Sequence, residues 1–175
     1  MGRGLSLLTW PFQRIAARAL RAQFAWITPQ LVQGPLFASK HAPLVSAMGI
    51  ESVLDLREPG GHDASMLAEA TLHYYHHPLP EFDPPTLAQL EEGVRWSLAE
   101  MAAGRTVLVH CRIGKSRSAC MACAILIGQG HRLSSALNTV REARPDMLLT
   151  EAQLAHLEEL EARVQAGHTR PGGGD

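Results

Sequence analysis

A cysteine and an arginine stand six places apart in VLVHCRIGKSRS, residues 107–118. The apolar run VLVH leads into this segment, and the apolar run ACMACAILIG leads out of it. A strand that turns tightly into a helix can aim its loop amides at one point, where they cradle an anion. The helix N-terminus adds partial positive charge. Cys111 opens the loop, so its thiolate would face those amides and the Arg117 guanidinium, which both favour the anion. A thiolate is a good nucleophile towards phosphorus at neutral pH. The planar fork of Arg117 suits two oxygens of a phosphoryl group. Gly114 permits the turn, and Ser118 can donate to the sulfur and help it leave. Arg112, Ile113, Gly114, Lys115, Ser116 and Arg117 are therefore the expected phosphate-binding residues.

Other chemistries fit less well. Gly114-Lys115-Ser116 is similar to the end of a nucleotide-binding P-loop, but that motif needs glycine where Val109 stands. A cysteine after a strand can be inert core, but the arginine six places on argues for a site. Cys120 and Cys123 lie within an apolar helical run and read as core filling. A disulfide of either with Cys111 under oxidation is the minor alternative. His73, His76 and His77 have no cysteine or paired acid beside them, so no metal site is expected. The proposed chemistry needs no metal or cofactor.

The elements that must position these residues alternate. Pro11 to Phe24 reads as a helix with proline in its first turn. ITPQLVQGPLF, residues 27–37, reads as a short strand and a turn. A short helix near residues 40–48 ends at Gly49, and IESVLDL is a buried-strand pattern. Asp63 can cap a short helix to about Ala70, and LHYYHHPL is β-prone. Thr86 and Gln89 form a capping box. Their helix carries Leu87, Leu90, Val94, Leu98 and Met101 on one face and ends at Gly104. TVLVH is short and apolar enough for the middle of a covered sheet. Two more helices follow, near residues 134–143 and 150–165, the second with the box Thr150–Gln153. Strands alternating with helices indicate an α/β domain with a central, mostly parallel sheet.

His110, Cys111, Gly114, Arg117 and Ser118 make up H-C-x-x-G-x-x-R-S, and with it the chain resembles the cysteine-dependent protein tyrosine phosphatase superfamily. The likeness extends through ITPQLVQG, GIESVLDLRE, the loop before Thr86 and RPDMLLTEAQLAHLEELE. The short length resembles the compact dual-specificity phosphatases, and the N-x-x-K-N-R-Y-type motif of the longer tyrosine-specific domains is absent. Sulfurtransferases with a related cysteine loop lack this signature. The resemblance implies a two-step hydrolysis through a phosphocysteine. It also implies an acid on an upstream loop that protonates the leaving oxygen and then activates water. That loop is LPEFDPPT. The register of the compact enzymes falls on Glu81, whereas their residue is nearly always Asp, and the nearest is Asp83. Both stay open. By the same resemblance His110 bonds the loop backbone and tunes the thiolate, and Arg144 before Pro145 is structural. Asp55 and Arg57 are expected to brace the site from a neighbouring strand end.

The substrate is expected to be a phosphorylated protein, with a phospholipid monoester as the alternative. Lipid phosphatases of the superfamily carry basic residues at the places of Arg112 and Lys115, where a second anionic group could be held. A weakly active phosphate-binding module is the third reading. The chain has 175 residues and a formal net charge of −1, which suits one domain and argues against a nucleic-acid partner. The expected organisation is a basic segment over residues 1–26, the phosphatase domain over 27–166 and a disordered tail over 167–175. Arg3, Arg14, Arg18, Arg21 and Lys40 are unopposed, since no acid stands in the first fifty residues. The segment 1–26 is read either as a helix packed on the domain or as a peripheral membrane contact or targeting peptide. Its start, M-G-R-G-L-S, also fits the myristoylation pattern. Three cysteines make no disulfide framework, and a reducing, cytoplasmic setting is expected.

Overall fold

A sheet whose strands are only four residues long carries the site on one edge. The computed structural model of the chain describes residue 15, residues 18–58 and residues 60–168. The strands are β1 (Ala25–Thr28), β2 (Leu31–Gly34), β3 (Ser52–Asp55), β4 (His73–His76) and β5 (Val107–His110). Their order is β1-β2-β5-β3-β4, with β1 antiparallel to β2 and the other pairings parallel. Register aligns the strand ends in one row, where His110 faces Gly34 on one side and Asp55 on the other, and Asp55 faces His76. The carboxyl ends of parallel strands are where α/β sheets place their ligands.

Alternation divides the core. Leu31, Leu54, Val107 and Val109 face one layer, whereas Val32, Val53 and Leu108 face the other. The first layer holds α3 (Leu87–Ala102), α4 (Arg117–Gly128), α5 (Leu133–Ala143) and α6 (Glu151–His168). The second holds a 3-10 turn (Ser39–His41), α1 (Ala42–Ala47) and α2 (Ala64–Glu69). Every residue of α4 from Arg117 to Ile127 is buried. That is why its sequence is apolar on all sides rather than amphipathic. Deleting one such side chain, as in Ile125→Ala, costs about 2–5 kcal/mol.

Three local expectations change. Residues 27–37 hold not one strand but the second half of β1 and all of β2, a hairpin. Thr28 Oγ1 closes its turn by accepting from the amides of Gln30 and Leu31. The N-terminal helix, of which residue 15 and residues 18–21 are described, gives way to β1 at Ala25, with Leu20 and Phe24 buried in the second layer. The last helix runs through His168 rather than ending near 165. Residues 1–14, 16 and 17, with the myristoylation pattern, and the tail from residue 169 lie outside the described residues. No described helix is long and apolar enough to cross a membrane.

Candidate active site

The loop between β5 and α4 closes around Cys111. The sulfur accepts from the Gly114 amide at 3.3 Å and lies 3.4 Å from Ser118 Oγ. Gly114 has φ +78°, and a Cβ there would meet Pro35 N at 2.5 Å, so both backbone hand and space require glycine. The loop is tied down from three sides. Leu36 N donates to Arg112 O, Leu148 N donates to Lys115 O, and Ser116 Oγ shares hydrogen bonds with the Gln153 amide. Gln33, buried at the centre of β2, donates to Gly114 O at 2.6 Å and to Ser118 Oγ at 2.8 Å. Since Gln33 supplies a proton to Ser118 Oγ, the Ser118 hydroxyl proton is free for the sulfur. Sequence reasoning missed Gln33. Its signal was a polar side chain directly after the apolar pair Leu31-Val32 in a short strand.

Arg117 is held in place before any phosphate arrives. Its NH1 donates to Leu79 O at 3.2 Å and to Leu56 O at 3.5 Å, carbonyls just beyond the ends of β4 and β3. Its NH2 stands 3.3 Å from Glu81 Oε1. The same carboxylate lies 3.9 Å from Arg112 Nε. Glu58 accepts from the Glu81 amide and anchors that loop. Asp83 is exposed and makes no ion pair among the described residues. Of the two candidate acids the structure brings Glu81, not Asp83, to the arginine.

Behind the loop lies a buried polar cluster. Asp55 holds Arg57 through Nε at 2.8 Å and NH2 at 2.6 Å and accepts from Tyr74 OH at 3.0 Å. Burial pushes the Asp55 carboxyl up, but the Arg57 bonds and the neighbouring His110 outweigh it and leave it at about 2. His110 Nδ1 lies 3.4 Å from Cys111 O. Its Nε2 lies 3.0 Å from Nε2 of His62, a residue the sequence did not single out. Burial pushes His110 down to about 4 and His62 to about 3, so both rings are neutral at neutral pH.

The remaining candidates divide. Lys115 does not stand free beside the mouth, because Nζ pairs with Asp146 at 3.1 Å. Asp146 also holds Arg144, whose NH1 donates to Gln23 O, a structural role for that arginine. Arg112, 3.9 Å from Glu81, is the more exposed of the two, with 63% of its side chain accessible against 41% for Lys115. Cys120 and Cys123 are buried in α4, and burial pushes both thiols up, Cys123 to about 12. His76 Nε2 bonds Arg57 O and His77 Nε2 bonds Gln89 O, both backbone carbonyls, while His73 pairs with Glu100.

Comparison with known proteins agrees with this geometry. Residues 38–163 match the family described as dual specificity phosphatase, catalytic domain. Dual specificity phosphatase 28 of Mus musculus is 31% identical over 148 residues, covering 82% of this chain and 86% of its own. Phosphatidylglycerophosphatase and protein-tyrosine phosphatase 1 of Mus musculus is 39% identical over 84 residues, covering 47% of this chain. That match spans 43% of the mouse protein, less than half its length. Among solved structures, Tk-PTP in the active form superposes with a TM-score of 0.73 at 29% identity, covering 81% of this chain and 97% of its own.

Proposed function

This chain belongs to the dual-specificity phosphatase catalytic-domain family, and from that premise we propose that it hydrolyses phosphomonoesters through a phosphocysteine on Cys111. The observation that carries the reading is the convergence of Cys111, the pre-positioned Arg117 and the Glu81 carboxylate on one loop mouth. In the first step the Cys111 thiolate attacks phosphorus and the P–O bond to the leaving group breaks. The phosphoryl oxygens take the loop amides and the Arg117 fork. Glu81 gives its proton to the leaving oxygen. In the second step Glu81 takes a proton from water, the water oxygen attacks phosphorus, and the sulfur leaves with Ser118 donating to it. Phosphate departs and the thiolate is restored.

A phosphorylated protein is the leading substrate class, read from the dual-specificity family. A phospholipid monoester is the second reading, and the mouth itself favours it. Phe82 on the acid loop, Ile113 on the phosphate loop and Leu148 beside Lys115 are 96%, 62% and 66% exposed. With Arg112 they put apolar surface and one cation around the opening, a combination suited to an acyl-bearing substrate at a lipid interface. The mouse relative named for both activities gives the same pair of candidates. The test is kcat/KM for a phosphotyrosyl peptide against phospholipid phosphates in mixed micelles, with Cys111→Ser as blank. A ratio favouring the peptide supports the protein reading. A ratio favouring micelles, lowered by Arg112→Ala, establishes the lipid one. No turnover of either leaves the phosphate-binding module. A cytoplasmic setting and membrane contact through the basic segment over residues 1–26 remain part of this proposal, the contact tested by vesicle binding with and without residues 1–17, a deletion that leaves Leu20, Phe24 and β1 in place.

A further inference from the structure

The cluster behind the phosphate loop contains more order than packing requires. His62 stacks on Phe37 with ring centroids 4.2 Å apart and an interplanar angle of 30°. Its backbone N donates to Tyr74 OH at 2.7 Å, and its Nδ1 lies 3.2 Å from Ser39 Oγ. Gly61 lets the chain lie this close, since a Cβ there would collide with the Tyr74 hydroxyl. The ring is therefore fixed at its backbone, its face and one nitrogen. The other nitrogen, Nε2, is aimed at Nε2 of His110.

One placement of protons gives the three pairs along Ser39, His62, His110 and the Cys111 carbonyl a donor and an acceptor each. Cys111 O needs a donor from His110 Nδ1, because a bare Nδ1 would set two lone pairs against each other. A neutral His110 with its proton on Nδ1 has a bare Nε2, which must accept. Asp55 cannot donate to it, and at 3.5 Å its carboxylate would draw a proton to Nε2 instead. That pull is spent elsewhere. Oδ1 already accepts from Arg57 N and Nε, and Oδ2 from Arg57 NH2 and Tyr74 OH, which fills the acceptor sites of a carboxylate. His62 Nε2–H is the donor that remains. Its own Nδ1 then accepts the Ser39 hydroxyl proton, while Ser39 Oγ accepts from Asp63 N.

We propose that His62 is a positioning residue for the phosphate loop: it donates Nε2–H to His110, fixes the His110 proton on Nδ1, and so holds the Cys111 carbonyl turned inward. Because a trans peptide sets its C=O and N–H on opposite sides, an inward Cys111 carbonyl turns the Arg112 amide outward, towards the mouth. The chain Ser39–His62–His110–Cys111 thus orients one of the loop amides that receive an anion. This role serves the phosphatase chemistry proposed above and rests on that reading for its purpose, though its readouts need no substrate.

Two measurements test it. The first uses the unaltered protein with 15N-labelled histidine at neutral pH. His110 Nδ1 is expected in the protonated range and Nε2 in the bare range. The reverse assignment overturns the proposal. The second follows iodoacetamide alkylation of Cys111 against pH, with Cys111→Ser as blank. His62→Phe keeps the stacked ring and removes the donor, so His110 should move its proton to Nε2 and face Asp55. Its alkylation at a fixed acidic pH should fall about tenfold, a shift of about one unit in the curve. His62→Gln places an amide N–H near the position of Nε2 and should restore the curve. An unchanged curve in His62→Phe overturns the proposal. So does an equal shift in both folded variants, since that would make the ring's packing the relevant property.

Discussion

A leaving alkoxide needs a proton, and Glu81 is the carboxyl group that stands 3.3 Å from Arg117 while Asp83 faces solvent. Glu81→Gln should lower kcat by about 10²–10⁴-fold for a poor leaving group and far less for a good one. Asp83→Asn should leave both rates within about twofold of the parent. Steady-state rates on alkyl and nitrophenyl phosphates decide it, and the opposite pattern would assign the acid to Asp83. Gly114→Ala should abolish turnover without unfolding the chain, since its positive φ and the Gly34–Pro35 backbone leave no place for a Cβ. Circular dichroism beside a rate assay checks this. Cys111, Arg117 and Gly114 were legible in the sequence because their chemistry fixes both residue type and spacing. Glu81 against Asp83 was not, since loop registry depends on Glu58 holding the Glu81 amide, a contact between segments far apart in the chain. Nor was His62, whose partners Ser39 and His110 come from two other stretches.

The elements were legible wherever they announce their own ends. The Thr86–Gln89 box, the Thr150–Gln153 box and the Asp63 cap are all present. The hairpin of β1 and β2 was not, because four-residue strands are too short to display a period and Thr28 hides its turn in a side-chain bond. The second box does two tasks at once. Gln153 caps α6 and also bonds Ser116 in the phosphate loop. Gln153→Ala should therefore destabilise the fold by about 1 kcal/mol, as a lost cap does, and also lower kcat/KM. Thr150→Ala should give a comparable loss of stability with less effect on rate, because the Ser116 bond survives. Thermal melts and kinetics of the pair separate the two roles, and equal rate effects would show that Gln153 acts only through the helix.

At the scale of the whole molecule, the buried cluster makes the fold sensitive to acid. His62 and His110 sit at about 3 and about 4 when folded, against 6.5 for the free side chain. As pH falls below the free value, the unfolded chain binds protons that the folded chain refuses, so stability is full above about pH 6.5 and declines towards about 4 for His110 and about 3 for His62. Asp55, held at about 2, adds a further loss as pH falls below its ordinary 3.8. The melting temperature should drop across this range, and His62→Gln should flatten the drop by removing one of the two imidazoles. No flattening would place the acid sensitivity elsewhere. The central claim, however, is a covalent one. It needs the sheet edge, the phosphate loop and the acid loop assembled in one molecule. The most direct measurement is rapid acid quench of Ser118→Ala with an aryl phosphate, followed by intact-mass and peptide analysis. The expected result is a burst of aryl alcohol stoichiometric with protein and one phosphoryl group on Cys111, absent in Cys111→Ser. Continued phosphate release by Cys111→Ser, with no phosphoryl group on Cys111 in the parent or in Ser118→Ala, would contradict the account.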